Sequence, residues 1–356
     1  MNSPIGKEER QDTRIESLRA WLAQLPGDLA LLPATLRPAS SDASFRRYFR
    51  IDTGGDSGSG KPSSYVAMDA PPAQEDCRPY VHVAQVLTRH GVHAPAILAS
   101  DLQQGFLLLS DLGDTTYFDA LARAGADVDR LYRDALDALV RLQQCPLDEP
   151  LPPYDRDRLL TEMRLFPDWY VQRHLGVTLE AGERADLDAA FERLVENATA
   201  QAQVLVHRDF HCRNLMFLDL NEGNPGVVDF QDAVIGPITY DLVSLLRDAY
   251  VEWPESRQID WAARYWENAR TAGHAVPSAF DTFWRDMEWM GLQRSLKILG
   301  IFCRLFYRDG KDRYLGDLPV VLRHTRRVAQ RYDAFGALAR LLDRIHGQAR
   351  TEGYTF

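Results

Sequence analysis

Three oxygen-bearing side chains, Asp209, Asn214 and Asp229, stand in a pattern that suits phosphoryl transfer. They lie in the stretch VLVHRDFHCRNLMFLDLNEGNPGVVDFQD, residues 204–232. An apolar run leads into His207-Arg208-Asp209, and Asn214 follows five residues after the aspartate. A second apolar pair, Val227 and Val228, ends in Asp229-Phe230-Gln231. Moving a phosphoryl group needs a carboxylate to orient or deprotonate the attacking hydroxyl. It also needs oxygen ligands for a magnesium ion that neutralises phosphate charge. Asp209 suits the first role. Asn214 and Asp229 suit the second, because magnesium is a hard ion. Two blander readings stay open: polar groups that merely cap loops, and a zinc site on His207 and His211. The zinc pattern H-E-x-x-H wants a helix and a glutamate, whereas Arg208 stands at that place and the segment reads as a loop. That makes His207 a candidate for holding the catalytic loop.

Such a loop must be carried by flanking strands and helices. Ile15, Leu18, Trp21, Leu22 and Leu25 share one helical face, so an amphipathic helix opens the chain. Residues 35–51 read as a β-hairpin with its turn over residues 40–44. Residues 52–64 are rich in Gly, Ser and Asp and read as a surface loop. Strands are expected at residues 65–68, 96–99 and 105–109, with a helix over 79–90 that Gly91 would cap. Beyond about residue 112 helical patterns take over. Leu131, Ala135, Leu139 and Leu142 mark one helix, Phe191 and Leu194 another, and residues 256–350 are almost wholly helical. Short strands at 204–206 and 226–229 interrupt them. The reading is an α+β fold of two lobes: residues 1–111 small and β-rich, residues 112–356 larger and helical, with a cleft between them.

Composition narrows the partners. The 356 residues are 45% hydrophobic and 26% charged, which permits a substantial core. A net charge of −10 argues against a nucleic-acid binder. Cys77, Cys145, Cys212 and Cys303 are widely spaced and form no CxxC pair, so neither a structural zinc nor a disulfide framework is expected. The charged N-terminus lacks an apolar core, and no run approaches the ~20 residues a membrane span needs. A cytoplasmic protein without membrane contact is expected.

The His-Arg-Asp, Asn and Asp-Phe elements resemble those of kinases. With Gly236-Pro237-Ile238-Thr239-Tyr240-Asp241-Leu242 behind them, they are similar to the aminoglycoside phosphotransferase and choline kinase branch of the protein-kinase-like fold. In that branch Asp241 would brace the catalytic loop; a helix N-cap is the other reading of it. More specific segments extend the likeness over nearly the whole chain: SDASFRRYFR (41–50), MDAPPAQEDCRPYV (68–81), GFLLLSDLGD (105–114), LFPDWYVQRHLG (165–176), VVDFQDAVIGPITYDLVSLLRDAY (227–250) and LQRSLKILGIFCRL (292–305). These resemble the N-acetylmuramate/N-acetylglucosamine anomeric kinases of bacterial cell-wall recycling. The resemblance implies ATP and Mg2+ as cofactors and an amino sugar as the small-molecule substrate. It also implies a sugar 1-phosphate product that feeds a nucleotidyltransferase. Kinases of another small alcohol and a nucleotide-binding pseudokinase are the competing classes.

One departure stands out. Kinases carry a lysine at the end of the third strand, where this chain has Val66-Ala67-Met68-Asp69. Arg46 and Arg47 could supply the cation, or be solvated surface arginines. By the kinase resemblance, residues 41–44, with Ser41 and Ser44, would cover the phosphates, and the backbone near Ser110 and Leu112 would take the adenine. Gln293, Lys297, Gly300 and Arg304 fall on one helical face, either solvated or a substrate wall that takes the lactyl carboxylate of a muramic acid. Asp168 and Trp169 form a second candidate sugar cluster with Phe166 and Tyr170, which reads equally as core. Glu162 is a further candidate.

Overall fold

The computed structural model describes residues 4–41, 45–54, 63–147, 150–218 and 223–346, with backbone alone for residues 4–12, 40 and 41. The chain divides into two compact units. The first runs to Thr116 and takes in Leu215–Asp232; the second holds Tyr117–Asn214 and the chain from Ala233 onward.

The first unit opens with helix α1 (Pro4–Leu22). Strands β1 (Arg37–Ser41), β2 (Arg47–Asp52) and β3 (Ser64–Asp69) follow, then helix α2 (Arg78–Arg89) and strands β4 (Ile97–Asp101) and β5 (Phe106–Ser110). The five strands form one antiparallel sheet in the order β1-β2-β3-β5-β4. Side chains alternate across a strand, so Phe49 and Ile51 of β2 and Tyr65 and Ala67 of β3 share a face. That face closes on Leu18 and Leu22 of α1, with Ile15, Trp21 and Leu25 packed around them. The apolar stripe of the first helix thus becomes one side of this core. Strand β5 is buried on both faces, which is why Phe106 to Leu109 read as an unbroken apolar run. Gly105 before it has φ +74, and a Cβ there would sit 1.9 Å from the Ala70 carbonyl oxygen, so only glycine fits.

The second unit contributes α3 (Tyr117–Leu121), α4 (Val128–Gln143), α5 (Arg156–Met163), a π-helix (Phe166–His174), α6 (Ala181–Ala200) and strand β6 (Gln203–Val206). Leu131, Ala135, Leu139 and Leu142 of α4 are all buried, as their spacing predicts. The chain then returns to the first unit for a short hairpin, β7 (Leu215–Met216) with β8 (Gly226–Val227). By sequence this hairpin falls within residues 112–356, the helical part. It groups with the first unit because Phe217 donates to the Thr115 carbonyl at 2.8 Å and Val227 to the His93 carbonyl at 2.7 Å. Strand β9 (Val234–Pro237), unforeseen from the sequence, pairs antiparallel with β6. Helices α7 (Tyr240–Leu246), α8 (Glu255–Thr271), α9 (Phe280–Asp309), α10 (Leu318–Arg331) and α11 (Gly336–His346) complete the chain. The long α9 packs against α5, α6, α7, α10 and the π-helix. Among the described residues no helix is long and apolar enough to cross a membrane.

Candidate active site

In the second unit β6 delivers the chain into a tight loop. Arg208 adopts φ 79, a conformation costly for a residue with a Cβ and one that clusters at functional turns. Three side chains hold the loop in place. Asp241, fully buried in the first turn of α7, accepts the backbone N–H groups of His207 at 2.6 Å and Arg208 at 2.9 Å. Its carboxylate therefore serves the loop, while Thr239 occupies the N-cap position of its helix. The buried His207 accepts the Asp209 N–H on Nδ1 at 3.2 Å. Asn214 donates its Nδ2 to the Asp209 carbonyl at 3.0 Å, which turns its Oδ1 the other way.

The Asp209 carboxylate is left 48% exposed. Loss of water around it pushes its pKa up, but Arg294, Lys297, His211 and Arg208 outweigh this and hold it down at about 2. Arg294 Nη2 lies 3.7 Å from Asp209 Oδ1. Burial pushes the Asp241 carboxyl up to about 7, against the pull of its two N–H donors and of Arg294. A carboxylate held ionised beside a second one whose pKa is raised to about 7 is an arrangement found at catalytic sites.

A buried network backs the loop. Glu162 of α5 accepts from Arg208 and from the Tyr154 hydroxyl, and meets Lys297 Nζ at 3.1 Å. Lys297 also donates to the Tyr240 hydroxyl at 2.9 Å, and Gln293 Nε2 to the Tyr154 hydroxyl at 3.3 Å. Gln293 and Lys297 are thus buried struts whose heads engage this network rather than an open wall. Gly300, on the same face, is a packing position against Leu165. Arg304, farther along α9, is half-buried, and no hydrogen bond or ion pair engages it among the described residues. Its desolvation lowers its pKa. Asp168 is exposed and Trp169 half-buried in the π-helix; among the described residues no side-chain contact ties either to Asp209. Sequence reasoning missed Arg294, Tyr154 and Tyr240. The periodic face picked out Gln293 and Lys297, and Arg294 lies off that stripe.

In the first unit Asp229 also has a positive φ of 65 and receives Gln231 Nε2 at 2.9 Å. Arg46 Nη2 lies 3.8 Å from Asp229 Oδ1, with its side chain only 10% exposed. Arg47 does something different. It donates Nε at 3.0 Å to Asp69, which also takes Arg14 Nε of α1 at 2.9 Å. Asp69 is fully buried at the place where kinases carry lysine. The two arginines thus separate: Arg47 is held by Asp69, and Arg46 stands at the acid. Ser110 accepts the Ala96 N–H on its hydroxyl at 2.9 Å, and Leu112 is buried against Gly226. Ser41 ends β1 opposite Arg47, while Ser44 lies outside the described residues. Asn214 and Asp229 offer amide and carboxylate oxygens, donors of the kind that magnesium takes.

A sheet-containing unit with an acid beside an arginine, and a helical unit with a braced aspartate loop, define a protein-kinase-like phosphotransferase. The chain belongs to the phosphotransferase enzyme family, whose model matches residues 35–280. It is 49% identical over 338 residues to the N-acetylmuramate/N-acetylglucosamine kinase of Pseudomonas aeruginosa, covering 93% of this chain and 96% of that protein. It is 45% identical over 346 residues to the protein of the same name in Pseudomonas putida, covering 95% and 98%. Among solved structures it is similar to an ADP-bound aminoglycoside phosphotransferase, with a TM-score of 0.58 over 89% of this chain and 99% of that one. At 15% identity that likeness speaks for the fold.

Proposed function

We propose that the chain transfers the γ-phosphoryl group of ATP to the anomeric hydroxyl of N-acetylmuramate and N-acetylglucosamine. The observation that carries this reading is near-half identity, over almost the full length of both chains, with kinases of that name. Asp209 is the base: its half-exposed carboxylate is the group within the braced loop that an acceptor hydroxyl can reach. An anomeric hydroxyl belongs to a hemiacetal and is more acidic than an ordinary alcohol, so a weakly basic carboxylate suffices for it. Asn214 and Asp229 are the magnesium ligands, and the ion when bound neutralises phosphate charge. Arg46 replaces the absent strand lysine at the phosphates, while Arg47 and Asp69 hold the hairpin beneath it. Residues 41–44, with Ser41 and Ser44, cover the phosphates, and the backbone from Ser110 to Leu112 takes the adenine. On the sugar side Arg304 takes the lactyl carboxylate, and Asp168 and Trp169 line the ring. His207 and Asp241 position the loop. The product, a sugar 1-phosphate, is the substrate class of nucleotidyltransferases.

The test is turnover of ATP and magnesium against N-acetylmuramate, N-acetylglucosamine, glucose, kanamycin and choline, with phosphorus NMR of the product. A 1-phosphate from the two N-acetylated sugars is expected. Phosphate on another hydroxyl, or turnover of kanamycin or choline instead, would overturn the assignment. ATP binding without turnover of any acceptor would point to a pseudokinase.

A further inference from the structure

We propose that Arg294 is a catalytic residue, a guanidinium fixed on α9 that receives the transferring phosphoryl group as it passes to the acceptor oxygen at Asp209. This rests on the reading of Asp209 as the base. Arg294 is buried, and Nε donates to the Ser244 hydroxyl of α7 at 2.6 Å. The head also lies over the Tyr240 ring, 5.6 Å from its centroid. It is therefore immobilised before any ligand arrives, the condition under which a donor stabilises developing charge without reorganising.

The 3.7 Å between Nη2 and Asp209 Oδ1 is too long for a hydrogen bond and short enough for strong attraction. The guanidinium is thus held beside the base without being closed onto it. An acceptor hydroxyl that donates to Asp209 sits about 2.6–3.2 Å from the carboxylate. Its oxygen, the atom that phosphorus must join, then falls within reach of the same guanidinium.

The acids around Arg294 are hydrogen-bonded elsewhere, so its Nη groups are not closed onto a carboxylate. Glu162 is engaged by Arg208 and Lys297, and Asp241 by two backbone N–H groups. Asp248 accepts the N–H groups of Cys212 and Tyr250. Arg294 and Lys297, both buried, and the part-buried Arg208 thus stand together beside Glu162 and Asp209, a cationic lining next to the base. The transferring phosphoryl group, an anion, meets that lining. In the step, the acceptor oxygen bonds to the γ-phosphorus as the bond from that phosphorus to the bridging oxygen breaks. That electron pair leaves with ADP, and the acceptor proton passes to Asp209. Arg294 exchanges no proton; it donates N–H groups to the phosphoryl oxygens. It lies beyond residues 35–280, so it is contributed by a helix segment outside the family match.

The experiment compares wild type, Arg294→Gln and Arg294→Lys in two assays. The first is steady-state turnover of N-acetylmuramate and N-acetylglucosamine. The second, without sugar, is the affinity for magnesium-ADP with and without aluminium fluoride, a mimic of the phosphoryl group in flight. Arg294→Gln should lower kcat on both sugars by about 10²–10⁴-fold, with each KM within about threefold. It should bind magnesium-ADP normally but lose the tightening by aluminium fluoride, and Arg294→Lys should recover part of both. A loss confined to N-acetylmuramate and seen in KM would make Arg294 a carboxylate clamp and overturn the proposal. So would fluoride tightening that survives in Arg294→Gln. If wild type turned over neither sugar yet lost its fluoride tightening on Arg294→Gln, the substrate reading would fail and the role of Arg294 would stand.

Discussion

At the scale of single residues, the site combines a weak base with strong positioning. Asp209 has a folded pKa below the ordinary carboxylate value, so its ionised form is favoured by the fold. That contribution to stability is present above about pH 4 and is lost only as the pH falls through about 2. The base therefore stays ionised across the working range, and any acid limb of kcat/KM near neutrality belongs to another group. Replacing it by the isosteric amide removes the proton acceptor but leaves the loop bonds of His207, Asn214 and Asp241, which engage the backbone. Asp209→Asn should cut kcat by about 10²–10⁴-fold while magnesium-ATP affinity, measured by calorimetry, changes little. Residual kcat within tenfold of wild type would remove Asp209 from the role. Arg304 offers a second residue-scale outcome. A guanidinium with no ion partner among the described residues is ready for a carboxylate, and N-acetylmuramate carries one where N-acetylglucosamine does not. Arg304→Ala should raise KM for N-acetylmuramate by about tenfold and leave that for N-acetylglucosamine within about twofold. Parallel changes on both sugars would contradict it.

At the scale of elements, the approach of α9 to the segment before the π-helix carries the site. Gly300 allows it: a Cβ there would lie 2.3 Å from the Leu165 carbonyl carbon and 2.5 Å from its oxygen. Those atoms are backbone and cannot swing aside. Gly300→Ala must push α9 away from residue 165, and overpacking of this kind costs about 1–3 kcal/mol. A fall in Tm should accompany a rise in KM for N-acetylmuramate, because Arg304 rides on the same helix. An unchanged Tm would mean the contact is looser than these distances. Elements of this kind were unevenly legible. Helix α4 has a period of 3.6, β2 alternates at Phe49 and Ile51, and β3 and β5 are short apolar runs, all set by their own residues, so local reading finds them. The candidates Asp209, Asn214 and Asp229 stand out in the sequence because phosphoryl-transfer chemistry would fix their types and spacing. The π-helix does not, since its register depends on packing against α9. Strand β9 is four residues containing Gly236 and Pro237, poor strand formers whose pairing with β6 is a tertiary effect. Arg294 escaped for a related reason: which side of α9 meets Asp209 is decided by α7, through Ser244.

At the scale of the whole molecule, a chain of net charge −10 concentrates buried cations where anionic ligands are expected. Arg208, Arg294 and Lys297 in one unit and Arg46 in the other act locally, since screening limits long-range fields to about 10 Å. The same chain keeps a buried histidine with no such role. His324 of α10 is 3% exposed, and neither ring nitrogen has a hydrogen-bond partner among the described residues. Burial, with Arg247, Arg327 and Arg323 against the weaker pull of Glu252, depresses its pKa to about 4. The unfolded chain then takes up a proton near pH 6.5 that the folded chain refuses until about pH 4. The stability tied to neutral His324 is thus complete above about pH 6.5 and is lost as the pH falls toward 4. Between pH 7.5 and 5 the loss is about 2 kcal/mol. Carboxylates also titrate as acid is added, so the decisive quantity is a difference between two proteins. Urea unfolding of wild type and His324→Leu at both pH values should give a drop smaller by about 2 kcal/mol in the variant, whatever its absolute stability. Equal drops would show that acid enters the fold elsewhere and that His324 is protonated without penalty.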